Sequence, residues 1–218
     1  MSNFGEMVDY VGKRLIDPSN TAVSTDDIKD AINDSIGYWK FRRFWFNEVS
    51  DTATLTAQSA SFPYPTDFLM PALQDDGFCI EYSGVRYPLS KSNIQFYDGV
   101  YLANGYGLPR WYARIGTSLE YQCYPLPDRD YTVLRHYLKD YVALDADDDT
   151  NDFTTYASRL INLWAIGNLI SELRQDEQKG AMFMQRANDE AKNLLLRTNK
   201  MNATGKITIH TTLTGYPR

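Results

Sequence analysis

The two histidines of the chain are the side chains best suited to acid–base chemistry near neutral pH. His136 lies in an alternating, strand-like segment, and His210 lies near the C-terminus in a segment without a helical period, so their spacing does not pair them. A lone histidine on a strand is more often a satisfied core or interface residue than a general base. The sequence contains no GxSxG, HExxH, Walker or dinucleotide-binding pattern, and Gly105-Tyr106-Gly107 lacks the third glycine. We therefore predict that the protein is not an enzyme and binds no cofactor.

An acidic run, residues 145–152, is the next candidate site. Asp145, Asp147 and Asp149 match the first three ligand positions of a calcium-binding loop. The match then fails, because Thr150 stands at the position of the required glycine and Tyr156 at that of the bidentate glutamate. We predict a solvated loop that places acids at a helix N-terminus, and no metal site.

Composition and charge narrow the class of protein. Hydrophobic residues make up 43% of the 218 residues and charged residues 23%, as in an ordinary globular protein. The net charge is -6 and the pI about 4.9, and the tight basic clusters are limited to Lys13-Arg14 and Arg42-Arg43, so sequence-specific DNA binding is not expected. Cys79 and Cys123 are expected to be buried thiols. The N-terminus is unlike a signal peptide and no apolar run reaches ~20 residues. These features predict a protein without a membrane span that is made and kept in the cytoplasm or in a particle assembled there.

Helical periodicity marks both ends of the chain. Residues 4–16 form an amphipathic pattern. A second helix is predicted from Ser24, whose capping pattern with Asp27 precedes an apolar stripe that ends at Trp39. The aromatic and basic segment 39–46 that follows is expected to dock on a sheet or, alternatively, to bind a partner.

The C-terminal half predicts a long helical pair. Residues 153–173 are apolar on two faces: Phe153, Tyr156, Ala157, Leu160 and Trp164 on one, and Leu163, Ile166, Ile170 and Leu173 on the other. Residues 176–200 are amphipathic, with the predicted inward face Ala181, Met184, Ala187, Ala191, Leu194 and Leu195. The two should be antiparallel and turn at 175–179. Because one amphipathic helix covers only one face of the first, we expect the other face to pack on the N-terminal helices and on a neighbouring subunit.

Alternating residues between these helical segments predict an antiparallel β insert. A strand is expected over 47–57 and a hairpin around Ser83-Gly84. Segments 119–123 and 131–138 are expected to pair as a second hairpin around Pro125-Leu126-Pro127-Asp128. A helical turn is predicted after Pro65 and a short helix over 90–97. Most of the 16 tyrosines lie in this insert, which suggests a surface made to be covered.

The predicted fold class is α+β. It comprises a helical bundle of two N-terminal helices and the long C-terminal pair, an inserted tyrosine-rich antiparallel β domain, and an extended C-terminal arm. The predicted domains are residues 1–46 (N-terminal helices), 47–144 (β insert), 145–200 (C-terminal helical pair) and 201–218 (arm). The arm is rich in threonine, and it is either a frayed terminus or a strand that adds to a partner's sheet edge.

The order of these segments resembles the head-to-tail adaptor (connector) proteins of tailed bacteriophages, particularly those of short-tailed phages. The resemblance covers about residues 4–196. It rests on short patterns of moderate specificity, none of which is catalytic: residues 24–33, 65–69, 108–112, 119–121, 124–128, 131–137 and 147–173.

This resemblance implies a structural virion protein of the neck between capsid and tail, made in the host cytoplasm. Such adaptors form rings, commonly of twelve copies, that bind beneath the portal protein, support the tail or nozzle proteins, and let DNA pass without sequence-specific binding. The resemblance implies a portal-binding role for the arm residues Ile207, Ile209, His210, Leu213 and Tyr216. For the subunit interface it suggests Leu163, Ile166, Ile170, Leu173, Tyr121 and Tyr137. As channel-facing acids it suggests Asp145, Asp147, Asp148 and Asp149, with Glu172 and Glu177 as further candidates.

Two alternatives stay open. One is another neck or tail-tube structural protein, which a different ring symmetry or partner would reveal. The other, less favoured, is a carbohydrate-binding module or enzyme that uses the tyrosine-rich sheet as a sugar platform. That alternative predicts a monomer that binds glycans, and it leaves the second apolar face of 153–173 unexplained.

Overall fold

The fold was analysed in a computed structural model that describes residues 2–15, 23–59, 61–72, 77–92, 105–114, 120–173 and 175–202. It is α+β, as predicted. The helices are α1 (Phe4–Leu15), α2 (Thr25–Trp39), α3 (Asp152–Tyr156), α4 (Ser158–Leu173) and α5 (Glu177–Asn202). The strands are β1 (Glu48–Leu55), β2 (Ser61–Pro63), β3 (Phe68–Pro71), β4 (Phe78–Tyr82), β5 (Val85–Pro88), β6 (Ser90–Lys91), β7 (Trp111–Arg114), β8 (Glu120–Tyr124) and β9 (Tyr131–Lys139).

The helices share one hydrophobic core, and α4 lies at its centre. Helices α1, α2 and α5 all pack against α4. Local sequence signals specify α2 closely: the Ser24 hydroxyl accepts a hydrogen bond from the Asp27 N–H, and the Asp27 carboxylate accepts one from the Ser24 N–H. The predicted apolar stripe of α2 is buried throughout, which confirms it. Ile166 and Ile170 of the second apolar face are thus buried within a single chain, whereas Leu163 and Leu173 are only partly covered.

The predicted single helix over 153–173 is interrupted at Ala157. Asn151 caps α3 through a reciprocal pair of hydrogen bonds with Thr154. Ala157 then leaves the helical region (φ -133, ψ 20), although its N–H still donates to the Phe153 carbonyl. Its own carbonyl accepts from Ile161 and so begins α4. Periodicity did not reveal this break because apolar residues continue through it.

Helices α4 and α5 approach closely at a pair of glycines. A Cβ atom on Gly180 would lie 2.9 Å from the Gly167 carbonyl oxygen, and one on Gly167 would lie 2.8 Å from Met184 Cγ. Neither position has room for a side chain. The inward face of α5 therefore includes Gly180, and the predicted inward residue Ala181 is exposed, which corrects that prediction. Ala187, Ala191 and Leu194 are buried, as predicted.

The strands form two sheets that enclose a second core. One sheet has the order β1-β9-β4-β5, with β3 also paired to β9, and the other has the order β2-β8-β7-β6. The ring of Phe78 on β4 contacts Tyr112 on β7 and Tyr121 on β8, with centroids 5.0 and 4.5 Å apart. The sheets therefore pack face to face through aromatic rings.

The predicted hairpin between 119–123 and 131–138 is wrong. Both segments are strands, but β8 lies between β2 and β7 in one sheet, whereas β9 lies between β1 and β4 in the other. The intervening turn carries the chain from sheet to sheet. Its backbone bonds to distant loops, because Leu126 exchanges hydrogen bonds with Gly105 and Gly107, and the Pro127 carbonyl accepts from Gln58.

The tyrosines of these strands build the core instead of an exposed surface. Tyr112, Tyr121, Tyr131 and Tyr137 are all buried. Burial raises the pKa of the Tyr121 hydroxyl, and the adjacent Tyr64 raises it further. Cys123 is buried as predicted, whereas Cys79 is half-buried. The prediction that the tyrosine-rich sheet exists to be covered by a partner is therefore wrong for these four residues.

Shorter predictions in the β region had mixed outcomes. The hairpin at Ser83-Gly84 is confirmed, and both turn residues have the positive φ (52° and 75°) that a tight two-residue turn needs. The helical turn predicted after Pro65 is wrong, because β3 occupies Phe68–Pro71 and pairs with β9. The helix predicted over 90–97 is wrong at Ser90–Lys91, which form β6, and 93–97 lie outside the described residues.

Candidate assembly surfaces

Charged and polar side chains fix the segment that leads from α2 into β1. Lys40 Nζ lies 2.7 Å from Asp140 Oδ1, and Arg43 forms a two-pronged pair with Glu48 at 2.9 and 2.7 Å. Burial favours a higher pKa for the Asp140 carboxyl, but hydrogen bonds from Lys40 and from the Tyr141 N–H outweigh it, so the pKa of Asp140 is lowered. Buried Asn47 donates to the carbonyls of residues 40 and 42. The point where the chain leaves the helices is therefore rigid.

Aromatic rings fill the space behind this segment. Phe153, at the start of α3, is fully buried and contacts the rings of Phe46 and Tyr141 at 5.2 and 5.1 Å, and that of Phe44 at 6.2 Å. The Tyr141 hydroxyl donates a hydrogen bond to Asp152. Burial raises the pKa of this hydroxyl, and the negative charge of Asp152 raises it further. Much of the aromatic part of 39–46 thus belongs to the helical core, while Phe41 is 55% exposed.

The acidic loop, residues 145–149, is an ordered structure that receives the N-terminus of α1. The N–H groups of Phe4 and Gly5 donate to the carbonyls of Asp149 and Asp147 at 3.0 and 2.9 Å. The Asp149 carboxylate turns inward and accepts from the N–H groups of Asp145 and Ala146, at 2.8 and 2.9 Å. These two hydrogen bonds lower the pKa of Asp149.

Three of the four predicted channel acids remain on the surface of this loop. Asp145, Asp147 and Asp148 are exposed, and Lys29 reaches the loop from α2 with its Nζ 3.4 Å from Asp147 Oδ1 and 3.0 Å from the Asp145 carbonyl. Asp149 is half-buried and organises the loop backbone. Asp145, Asp147 and Asp148 are thus exposed on a loop whose backbone is held in place by the carboxylate of Asp149.

Replacing Asp149 with alanine is expected to destabilise the acidic loop in a pH-dependent way. The pKa of Asp149 is lowered on folding, so its ionised form stabilises the fold above about pH 4, and this contribution is lost as the pH falls through the lowered value. The difference in melting temperature between wild type and Asp149→Ala should therefore be present at pH 6 and shrink towards pH 3. Hydrogen exchange at the Phe4 and Gly5 amides should accelerate at pH 6.

Asp148→Ala is the matched control, because Asp148 is exposed and its carboxylate makes no hydrogen bond within the described part of the chain. It should leave both measurements near the wild-type values. Equal losses of stability at pH 3 and pH 6 in Asp149→Ala would contradict the assigned role.

The predicted subunit-interface residues separate into two groups. Ile166, Ile170, Tyr121 and Tyr137 are buried inside this chain, which leaves them no surface for a neighbour to contact. Ile166 and Ile170 belong to the core that α4 shares with α1, α2 and α5. Leu163 is half-buried and Leu173 is 44% exposed, so these two remain accessible.

The C-terminal end of α5 is anchored beside the segment that follows α2. The Thr198 hydroxyl accepts from the Trp45 N–H at 3.2 Å and donates to the Leu194 carbonyl at 2.9 Å. The Arg197 guanidinium lies 5.1 Å from the centroid of the Trp45 ring. The predicted arm residues Ile207, Ile209, His210, Leu213 and Tyr216 lie outside the described residues. The arm therefore follows a helix end that is held in place.

The candidate acid–base residue His136 has one side-chain partner. Its Nδ1 lies 2.6 Å from the Ser50 hydroxyl across the β1–β9 pair. Within the described residues, no carboxylate bonds to this histidine to orient it as a general base. Nor do the described residues contain a group of three His, Cys, Asp or Glu side chains that could hold a metal ion. Among the described helices, none is long and apolar enough to cross a membrane.

Sequence reasoning missed two residues that organise these surfaces. Arg135 is buried on the inward face of β9 and pairs with Asp51, and its Nη1 also donates to the Pro63 carbonyl at 2.8 Å. Its position was visible in the sequence, since it alternates in phase with Val133 and Tyr137. Asn47 gave no comparable signal, because its partners are backbone carbonyls of a non-repetitive segment.

A family of known proteins matches most of the chain. The model of the family described as SU10 adaptor protein matches residues 2–208. That range spans the helices at both ends and both sheets. No curated protein matches the chain.

Proposed function

The chain belongs to the SU10 adaptor protein family, and from that premise we propose that this phage structural protein is a ring-forming head-to-tail adaptor. It links the portal to the tail and continues the DNA channel. The observation that carries the proposal is the family match over residues 2–208, which includes the helices, the β insert and the start of the arm. The ring contains about twelve copies, as in the adaptors that the sequence resembles.

The anchored end of α5 supports a role for the arm at the portal. Helix α5 has 26 residues and is therefore about 39 Å long. Its last turns are fixed by Thr198 and Arg197 against Trp45, so the arm starts from a defined point. A segment that orders only on binding loses entropy at that moment, and a fixed attachment point keeps its search volume small. We assign the portal contact to Ile207, Ile209, His210, Leu213 and Tyr216.

The acidic loop supports a role in DNA passage. Asp145, Asp147 and Asp148 present their charges from a backbone that Asp149 and α1 hold rigid. A negative wall repels the phosphate backbone and lets DNA slide, whereas a basic wall would retain it. We assign these three acids to the channel, together with Glu177. The net charge of -6 agrees with a conduit that does not bind DNA.

The burial of the strand tyrosines gives no support to the sugar-platform alternative. Such a platform requires several aromatic faces side by side on the surface, whereas Tyr112, Tyr121, Tyr131 and Tyr137 lie in the interior. These four tyrosines are therefore not available as a sugar platform.

The native mass of the protein, alone and mixed with the portal ring of the same phage, tests the proposal. The full-length chain should add to the portal as a complete ring of copies. A chain that ends at residue 202 should keep its circular dichroism spectrum and melting temperature and lose portal binding. A full-length protein that ignores the portal would refute the proposal, and one that assembles only on tail proteins would favour the neck or tail-tube alternative.

A further inference from the structure

Two surface grooves of opposite charge flank α4, and we propose that they are the two halves of the contact between neighbouring copies of this chain. The arginine groove lies between α1, α4 and α5, and the acidic groove lies between α2 and α4. In this contact the acidic groove of one copy receives the arginine groove of the next. The inference rests on the proposed function, because it describes how the ring closes.

The arginine groove has a volume of about 640 Å³. Its lining includes the partly buried apolar side chains of Leu163 and Phe183. Arg14, Arg159 and Arg186 also line the groove. Apolar side chains beside arginines are common in contacts between proteins.

Two of these arginines are available to a partner. Arg159 pairs with Glu190 at 3.7 Å. Arg14 and Arg186 instead lie over the rings of Tyr10 and Phe183, 5.4 and 5.6 Å from the ring centroids. Neither forms an ion pair within the described residues, and both are exposed. A guanidinium that lies over an aromatic ring in this way keeps N–H groups available for a carboxylate partner.

The remaining acids of the arginine groove do not cancel this charge. Asp189 Oδ1 accepts from Lys192 at 3.0 Å, so its charge is already paired. Glu190 is occupied by Arg159. The groove therefore offers two guanidinium groups without carboxylate partners.

The acidic groove has the complementary character. It is lined by the exposed carboxylates of Asp27, Asp30, Asp34 and Glu172 and by Leu173, which is 44% exposed. Asp27 is engaged in the cap of α2, whereas Asp30, Asp34 and Glu172 form no ion pair within the described part of the chain. Like charges at i and i+4 along α2 destabilise an isolated helix, so a cationic partner would stabilise this face.

The two grooves open on different sides of α4. Leu163 of the arginine groove and Glu172 of the acidic groove are nine residues apart, which is about two and a half helical turns, so these two side chains lie on opposite sides of the helix. A ring of identical chains is built from heterologous contacts, which join two different patches of the same chain.

Charge also selects this arrangement over a twofold dimer. A twofold contact places the same patch against itself, which would bring Arg14 and Arg186 close to their own copies, or Asp30 and Asp34 close to theirs. Like charges brought together in this way are unfavourable. A head-to-tail contact pairs arginines with carboxylates at every repeat and uses Leu163 and Leu173, the two interface candidates that remain accessible.

Charge reversal in each groove tests the contact. The first variant carries Asp30→Lys and Asp34→Lys, and the second carries Arg14→Glu and Arg186→Glu. Each alone should lose ring assembly, alone or on the portal, as measured by native mass. An equimolar mixture of the two should recover rings with alternating copies, because every contact is then complementary. A single chain with all four changes should also assemble with itself.

The matched control, Lys91→Glu with Arg110→Glu, reverses two exposed charges outside both grooves and should assemble normally.

The outcomes separate this inference from the proposed function. If the wild type forms rings and both reversal variants assemble as well as it does, the groove contact is wrong and the adaptor proposal stands. If each variant is folded by circular dichroism and fails to assemble, but neither the mixture nor the four-change chain recovers rings, the pairing of these grooves is wrong. If the wild type forms no ring alone or with the portal, both proposals fail.

Discussion

Replacing Arg135 with alanine is expected to lower the free energy of unfolding by about 3 kcal/mol. Arg135 has a side chain only 9% exposed, and its guanidinium pairs with both carboxylate oxygens of Asp51 on the adjacent strand β1. It also donates to the Pro63 carbonyl at 2.8 Å and so joins the two sheets. The substitution leaves a carboxylate and a carbonyl without their partner. Asp51 is 33% exposed, so water recovers part of the loss and the effect falls at the lower end for a buried pair.

Urea-induced unfolding at pH 7 measures this loss, and Arg129→Ala is the matched control. Arg129 pairs with Asp128 at 3.2 Å while its side chain is 56% exposed, so its removal should lower the free energy of unfolding far less than the removal of Arg135. A loss in Arg135→Ala no larger than that in Arg129→Ala would show that the buried pair does not hold the sheets together.

Phe153→Ala is expected to destabilise the protein by about 4 kcal/mol. Phe153 is fully buried, and its ring contacts Phe44, Phe46 and Tyr141, so alanine would leave a cavity among rigid rings. Because these rings support the segment from α2 to β1, the near-ultraviolet circular dichroism of the aromatic residues should weaken in the folded variant as well.

Phe41→Ala makes the same chemical change on the surface and serves as the control. Phe41 is 55% exposed, with Lys40 Nζ lying 5.6 Å from its ring centroid. Its removal should change stability by about 0.5 kcal/mol or less. If the two substitutions were equally mild in urea, the cluster around Phe153 would not contribute to the stability of the fold.

Elements specified by neighbouring residues could be predicted from the sequence. The cap and stripe of α2 and the Ser83-Gly84 turn depend on residues a few positions apart, and all three are confirmed. Strand pairing depends on residues far apart in the chain. The segments of β8 and β9 were identified, but the proximity of their ends suggested a hairpin, whereas β9 pairs with β1 more than 70 residues earlier.

The candidate surfaces were harder to predict for a related reason. The two apolar faces of 153–173 indicated that several elements must pack on this segment, but not that Ile166 and Ile170 would be buried within the chain itself. Alternation in β9 placed Arg135 on the inward face, but its partner Asp51 is 84 residues away in the sequence, so the ion pair could not be predicted. The sequence predicted a solvated acidic loop before a helix. It did not predict that the Asp149 carboxylate turns inward, because that depends on backbone geometry that composition does not encode.

The pairing of β1 with β9 makes the β insert exchangeable as a unit. Glu48 lies opposite Leu138, and the Lys139 N–H donates to the Asn47 carbonyl at 3.0 Å, so the chain leaves and re-enters the helices at neighbouring points. A recombination event that replaces the segment between these points with another paired stem would leave the helices undisturbed. A different β region on the same paired stem is therefore compatible with the same helical core.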